Sequence, residues 1–410
     1  MRKRRTCLVL LAAVAARHAA LSQPAASPPA DDALPSVAEQ IEEIQSKQGI
    51  NSPDLLSPLT NLGLILREQG DDDLAIAAFE RARHVVRVNY GLSSFKEAPL
   101  LRQLVQIEEG RGNAAAAWDL EQELIGFIRH SPGPRPGEAS MLREIADKRV
   151  DVLERYAAGE FPPQIELGCY YGGPRVATAE KIPGSCRSGT SSSVKQALYE
   201  EAASYYYDVM DMIRFAEGAS SDELPELYMA VLRASYAARN DYGTEGQGRA
   251  MLRSLHERHV KYSAPLPVQM NALLQMADWD LLFAGGRNEK EAAFQAYETL
   301  YAQLRQEGME QSFVDGIFSP SLPVVLPAFS PNPLVSAETP GSRGFIDVAF
   351  EITKYGKGTS IEVLDTTTNR TDAARLRLVG LIQRSRFRPR MTDGAFEDSA
   401  RVVVRYYVND

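Results

Sequence analysis

The chain has 410 residues, 44% of them hydrophobic and 24% charged, which excludes a disordered polymer and leaves room for two or three domains. Its formal charge is −9; without the five basic residues of the first 22 positions, 40 basic side chains face 54 acidic ones. A surface that acidic repels phosphate backbones, so nucleic acid is excluded as the main partner.

Met1–Arg5 is basic and Cys7–Ala16 is an apolar run of ten residues, followed by Ala20 and Ser22 as small residues before Gln23. That is the pattern of an export signal cleaved near residue 22. Ten apolar residues fall short of the about 20 that span a bilayer. If residues 1–22 are instead retained, they form an anchor whose apolar stretch, 8–21, is interrupted by Arg17 and His18. The expected location is outside the cytoplasm, or the membrane if the anchor stays. Membrane association rests on the uncleaved N-terminus alone.

Residues 23–36 read as a Pro/Ala tether, and helical periodicity runs from 37 to 160. An internal repeat lies within it. A shift of 42 superimposes Gly70 on Gly112, Ser52 on Ser94, Leu59 on Leu101, Leu62 on Leu104, Ala75 on Ala117 and Val85 on Phe127. A period near 40 built from two helices predicts stacked antiparallel hairpins. Leu59, Leu62, Gly63, Leu66, Ala75, Phe79 and Ala82 give this region a resemblance to tetratricopeptide repeats. The second copy carries Val105 and Glu121 where the first has Gly63 and Phe79. Residues 273–306 offer a further copy through Met276, Trp279, Phe283, Ala293, Tyr297 and Leu300, with Asp280 in the glycine position.

Residues 161–192 are rich in Pro, Gly and Ser and predict an irregular insertion. Once Cys7 leaves with the signal, Cys169 and Cys186 remain. In an oxidising compartment they either form one disulfide or stay as two buried thiols. Helix resumes over 193–316, where Tyr205, Tyr206 and Tyr207 serve either helix packing or a groove for peptide or glycan. Prolines 320, 323, 327, 331, 333 and 340 then predict an extended linker over 317–343.

From residue 344 the period changes to two. Phe345–Ile352 and Ser360–Leu364 predict a hairpin turned at Gly356 and Gly358. A helix with apolar Leu376, Val379 and Ile382 follows, and Val402–Val408 is the last strand. The β-β-α-β order makes a small sheet with a helix on one face. Just after the helix stands Arg386-Phe387-Arg388-Pro389. Order and motif together resemble the TonB C-terminal domain family over the 67 residues 344–410. Phe387 is expected under the sheet, Pro389 at the helix stop, and the arginines in solvent. The fold class expected is thus multidomain: an all-α, tetratricopeptide-like repeat region and a small α+β TonB-like C-terminal domain.

The resemblance implies binding of an extended peptide by strand addition at the sheet edge. The edge residues expected are Arg401, Val402, Val403, Val404, Arg405, Tyr406 and Tyr407. By the same resemblance the partner class is the TonB-dependent outer-membrane receptor, with the helical repeats as a protein-binding scaffold. The resemblance of residues 344–410 also implies that the location is the periplasm of a Gram-negative bacterium, or its inner membrane facing the periplasm if the anchor stays. With a retained anchor the chain would instead be an energy transducer for outer-membrane transport. A third reading is an enzyme with a site in 160–270. Against it, no P-loop, G-x-S-x-G or G-x-G-x-x-G occurs. His256 and His259 are three apart, whereas the zincin motif needs four, so they read as solvated helix. No catalytic residue, metal site or cofactor is expected.

Overall fold

The computed structural model describes residues 30–92, 94–130, 137–158, 194–239, 244–330, 333–334, 344–367 and 371–407. The expected signal, the insertion 161–192 and both Cys169 and Cys186 lie outside these residues. The chain divides into two compact units, 1–132 and 133–410.

In the first unit, helix begins inside the expected tether: α1 spans Ala30–Gln48. The 42-residue shift then governs the backbone. A short 3-10 turn opens each copy, and the hydroxyls of Ser52 and Ser94 accept from Asp54 N–H and Lys96 N–H. Helices α2 (Leu56–Glu68) and α3 (Asp72–Tyr90) make the first hairpin; α4 (Ala98–Gly110) and α5 (Ala114–Arg129) make the second. Gly70 and Gly112 sit at φ +82 and +76, where a Cβ would be strained. Each turn closes the same way: Asp71 N–H donates to Leu66 O (2.9 Å) and Asn113 N–H to Glu108 O (2.8 Å). One core runs through both hairpins, from Leu59, Phe79 and Val86 to Leu100 and Leu104.

Gly63 explains the tight crossing in the first hairpin. A Cβ there would lie 2.7 Å from the buried Phe79 ring. The second copy exchanges that pair for Val105 and Glu121, both buried. The hairpins are also keyed by charge. Fully buried Glu97 accepts from Arg83 (3.3 Å) and Arg87 (2.9 Å), and both arginines reach Glu123 at 2.7 Å. A buried ion set of this kind fixes register more than it adds stability.

In the second unit, helices follow one another, each packed on the next. They are α6 (Glu138–Ala157), α7 (Val194–Glu217), α8 (Leu224–Ala237), α9 (Thr244–Lys261), α10 (Leu266–Phe283), α11 (Arg287–Gln306) and α12 (Gln311–Phe318). The third repeat candidate forms the hairpin α10–α11, burying Trp279, Ala293, Tyr297 and Leu300. A Cβ on Gly248 of α9 would collide with the Trp279 ring, so a small residue again permits the crossing. Asp280, in the glycine position of that copy, pairs with Arg249 at 2.6 Å.

The expected linker differs. Residues 317–318 end α12, and the described part of 319–334 is packed. Leu326 joins the core of α10–α12, Val325 and Leu334 join the core under the sheet, and the Phe329 ring stands 6.2 Å from Trp279. Proline excludes helix and central strand but not burial, so a proline-rich strap serves as well as a linker.

The C-terminal sheet has order β2-β1-β5, all antiparallel, from β1 (Phe345–Ile352), β2 (Gly358–Thr366) and β5 (Val402–Tyr407). Helix α13 (Thr371–Arg384) covers one face through Ala374, Leu378 and Ile382. Leu376, expected on that face, is exposed. The expected β-β-α-β order gains two strands, β3 (Arg390–Thr392) and β4 (Ala395–Glu397), paired with each other. Asp393 and Gly394, both at positive φ, turn this small hairpin. Its Met391 and Phe396 pack on α10–α12.

Candidate peptide-docking edge

Strand β5 is Val-Val-Val-Arg-Tyr-Tyr, β-branched and aromatic residues that suit a pleated, half-buried surface. It pairs with β1 at six consecutive positions, from Phe345↔Tyr407 to Phe350↔Val402. Hydrogen bonds at the ends of β1 fix which way each residue points. Ile352 O accepts from Ser399 N–H (2.8 Å), so even-numbered residues of β1 turn toward β5. Phe345 O accepts from Thr367 N–H (3.2 Å), so odd-numbered residues turn toward β2. Val402, Val404 and Tyr406 therefore exchange their bonds with β1. Val403 and Arg405 direct N–H and C=O to the opposite side, where no strand pairs with β5 among the described residues.

The sheet's other edge is built differently. Register shifts interrupt β1–β2 at two places, and Ser360 of β2 lies at φ +52. Bulges of this kind blunt an edge against further pairing. The regular edge is β5.

The seven expected edge residues divide by face. Val404 is buried in the core with Ile346, Val348 and Phe387, partly covered by Val402 and Tyr406. Val403 is exposed. Arg405 forms a two-pronged pair with Asp347, both contacts 2.8 Å, and lies 3.9 Å from the centre of the Phe345 ring. The hydrogen bond from Arg405 holds the Asp347 carboxyl below its usual value, and Asp347 in turn raises Arg405. Arg401 precedes the strand and pairs with Glu362.

The Arg386–Pro389 segment agrees with expectation at one residue. Phe387 is fully buried, its ring 5.8 Å from Phe350. The segment itself is extended, since Phe387 N–H donates to Gly356 O (2.9 Å), Leu326 N–H to Arg386 O (2.8 Å) and Arg388 N–H to Val324 O (2.9 Å). Helix α13 has already ended at Arg384, so Pro389 does not stop it. Nor is Arg388 solvated. Its guanidinium meets Asp278 of α10 at 2.9 and 2.6 Å, and Tyr297 OH donates to the same carboxylate at 2.7 Å. Burial opposes the charge on Arg388, but Asp278 outweighs it and holds the group above its ordinary value. Burial, reinforced by Asp278, pushes Tyr297 well up. Sequence reasoning missed Asp278 and read Tyr297 only as a packing position of the third repeat copy. It also missed the Asp393-Gly394 hairpin, for which the dipeptide itself was the signal.

A cavity of about 220 Å³ opens at the start of β5, between Ala400–Val403, the strap at Pro320–Val324 and Arg388–Arg390. Of the tyrosines of α7, Tyr199, Tyr205 and Tyr206 are buried and serve packing, Tyr206 OH donating to Asp147 at 2.7 Å, while Tyr207 is exposed. Arg258, between the two histidines, donates to the carbonyls of Ala219, Ser220 and Ser221. Among the described residues no three His, Cys, Asp or Glu side chains gather as for a metal, and no helix is long and apolar enough to cross a membrane.

No family model and no curated protein matches the sequence. Solved structures similar to this chain are tetratricopeptide-like repeat proteins. BtubC from P. vanneervenii matches at 12% identity and TM-score 0.35, covering 76% of this chain and 98% of its own. A kinesin-light-chain-type protein of Podosopora anserina with nearly identical TPR-like repeats matches at 12% and 0.34, covering 63% and 99%. A single-substitution variant of the latter gives 12% and 0.33.

Proposed function

We propose that this chain is a non-enzymatic interaction protein of the cell envelope: its helical hairpins hold a protein partner, and its C-terminal sheet captures an extended peptide along β5. One observation carries the reading. Of the two edges of the sheet, β2 is bulged twice, while β5 keeps an unbroken register and turns the backbone of Val403 and Arg405 outward. Main-chain hydrogen bonds give affinity in strand addition, and alternate side chains give selectivity. The basic and apolar N-terminus supports export to the periplasm, with cleavage near Gln23. The TonB-like order of elements and the Arg386–Pro389 motif support an extended segment of a TonB-dependent outer-membrane receptor as the peptide.

The test uses the chain from Gln23 and a fluorescent synthetic receptor segment, read by anisotropy. Strand addition requires the peptide's own N–H groups, so N-methylation at alternate residues should abolish binding. Val403→Pro should leave the fold intact, because its N–H points away from β1, and should abolish binding. Val404→Pro should unfold the sheet, since Val404 is bonded to β1 and buried. Equal binding of native and N-methylated peptides would defeat the proposal. Intact mass of the fractionated protein tests export, and retention of Met1 would favour the anchored transducer.

A further inference from the structure

The cavity at the head of β5 adds direction and chemistry to the proposed edge, and its role depends on β5 being the peptide-binding strand. Three arginines, Arg388, Arg390 and Arg401, and no acidic residue line the cavity. Each arginine has an acidic partner: Arg388 has buried Asp278, Arg390 has Glu397 through Nε at 3.0 Å, and Arg401 has Glu362 of β2 through one terminal nitrogen. A guanidinium has five donors. Arg390 and Arg401 each use one side of the fork and keep other N–H groups without a partner among the described residues. Phe318, Val324, Pro389 and Val402 give the wall an apolar part, beside the polar Ser321 and Ser399. Since a single water needs only ~10–15 Å³, the cavity has room for a side chain.

The cavity lies where the outward edge of β5 begins. A strand added antiparallel to β5, the slightly stabler ladder, would run past Val403 with its C-terminal end toward Arg401. We propose that this cavity receives the side-chain carboxylate of an Asp or Glu placed just C-terminal to the paired stretch of the bound peptide. The apolar wall takes the methylenes, and the forks of Arg390 and Arg401 bind the carboxylate by charge-assisted hydrogen bonds. Backbone pairing alone reads no sequence. The cavity would thus set both the direction of the peptide and a preference for an acidic residue at one end.

The experiment compares amide-capped fluorescent peptides of one extended sequence that carry Glu at the C-terminal end, Gln there, or Glu at the N-terminal end. All are titrated against the full chain from Gln23. The C-terminal Glu peptide should bind about tenfold more tightly than its Gln analogue at low salt, an advantage that shrinks as salt rises. In Arg390→Gln/Arg401→Gln, folded by circular dichroism, the ratio should fall toward one. Arg388 is left intact because its loss would disturb the fold. Equal binding of Glu and Gln peptides, with both lost in Val403→Pro, would overturn the cavity's role and leave the edge standing. Preference for the N-terminal Glu peptide would overturn the direction. Failure of every peptide to bind would defeat the edge as well. Self-association in sedimentation that Val403→Pro abolishes would assign β5 to a second copy of this chain and overturn the proposal.

Discussion

The guanidinium of Arg388 and the carboxylate of Asp278 meet at 2.9 and 2.6 Å across 110 residues of chain, both side chains almost wholly buried. This pair fastens the segment behind the sheet to the middle of α10. Removing one member strands a buried charge, at a cost of about 3–5 kcal/mol. Denaturant unfolding of Asp278→Ala should show a loss of that size. Asp278→Leu/Arg388→Met should cost much less than the sum of its single changes.

The crossing of α2 and α3 predicts a sign reversal. Gly63→Ala sets a methyl 2.7 Å from the fully buried Phe79 ring, so the ring or the helix must shift. Overpacking of this kind costs about 1–3 kcal/mol, more than the helix propensity gained. Gly126, inside α5 with nothing within 4 Å of its Cβ position, should respond to the same substitution by gaining up to about 1 kcal/mol. Thermal melts of the two variants should move in opposite directions.

Alkaline pH should weaken the second unit through its phenols. Burial pushes Tyr199 up to about 12, although Ser235 donates to its oxygen, and pushes Tyr206 further. An unfolded tyrosine titrates near ~10. The neutral phenol is the form the fold prefers, so its contribution is complete below ~10 and is lost as pH rises toward the folded value. Unfolding free energy should therefore fall between about pH 10 and 12. Tyr199→Phe should flatten that fall, and a slope unchanged by the substitution would refute the assignment.

The sheet should not fold alone. Residues 344–410 lack Val325 and Leu334, which complete its core, and would expose Met391 and Phe396. A fragment of 344–410 should give collapsed amide dispersion in NMR. One of 266–410, which restores α10–α12 and the strap, should give resolved shifts.

What was legible in the sequence was periodic or local. The 42-residue shift paired Ser52 with Ser94 and Gly70 with Gly112, and the structure makes them caps and turns, because each acts within a few residues of itself. The alternation of Phe345–Ile352 identified β1 and its buried face. Partners far apart in the chain left no such trace. Asp278 sits in a helix and Arg388 in a basic cluster, and each alone resembles an ordinary surface residue. The prolines of the strap announced irregular backbone correctly and said nothing about burial. Val404 counts as an edge residue by position and as a core residue by face, a distinction that only the register with Val348 reveals.

The unequal edges of the sheet also bear on assembly. An open filament needs two complementary surfaces on every copy, one to give and one to receive. Here β2 is broken by bulges, so head-to-tail stacking of β5 onto the β2 of another copy has nothing to grow on. If copies meet through their sheets, β5 must face β5 about a twofold axis, and the pair closes on itself. Any such contact would therefore stop at a dimer, and fibrils should not nucleate from it.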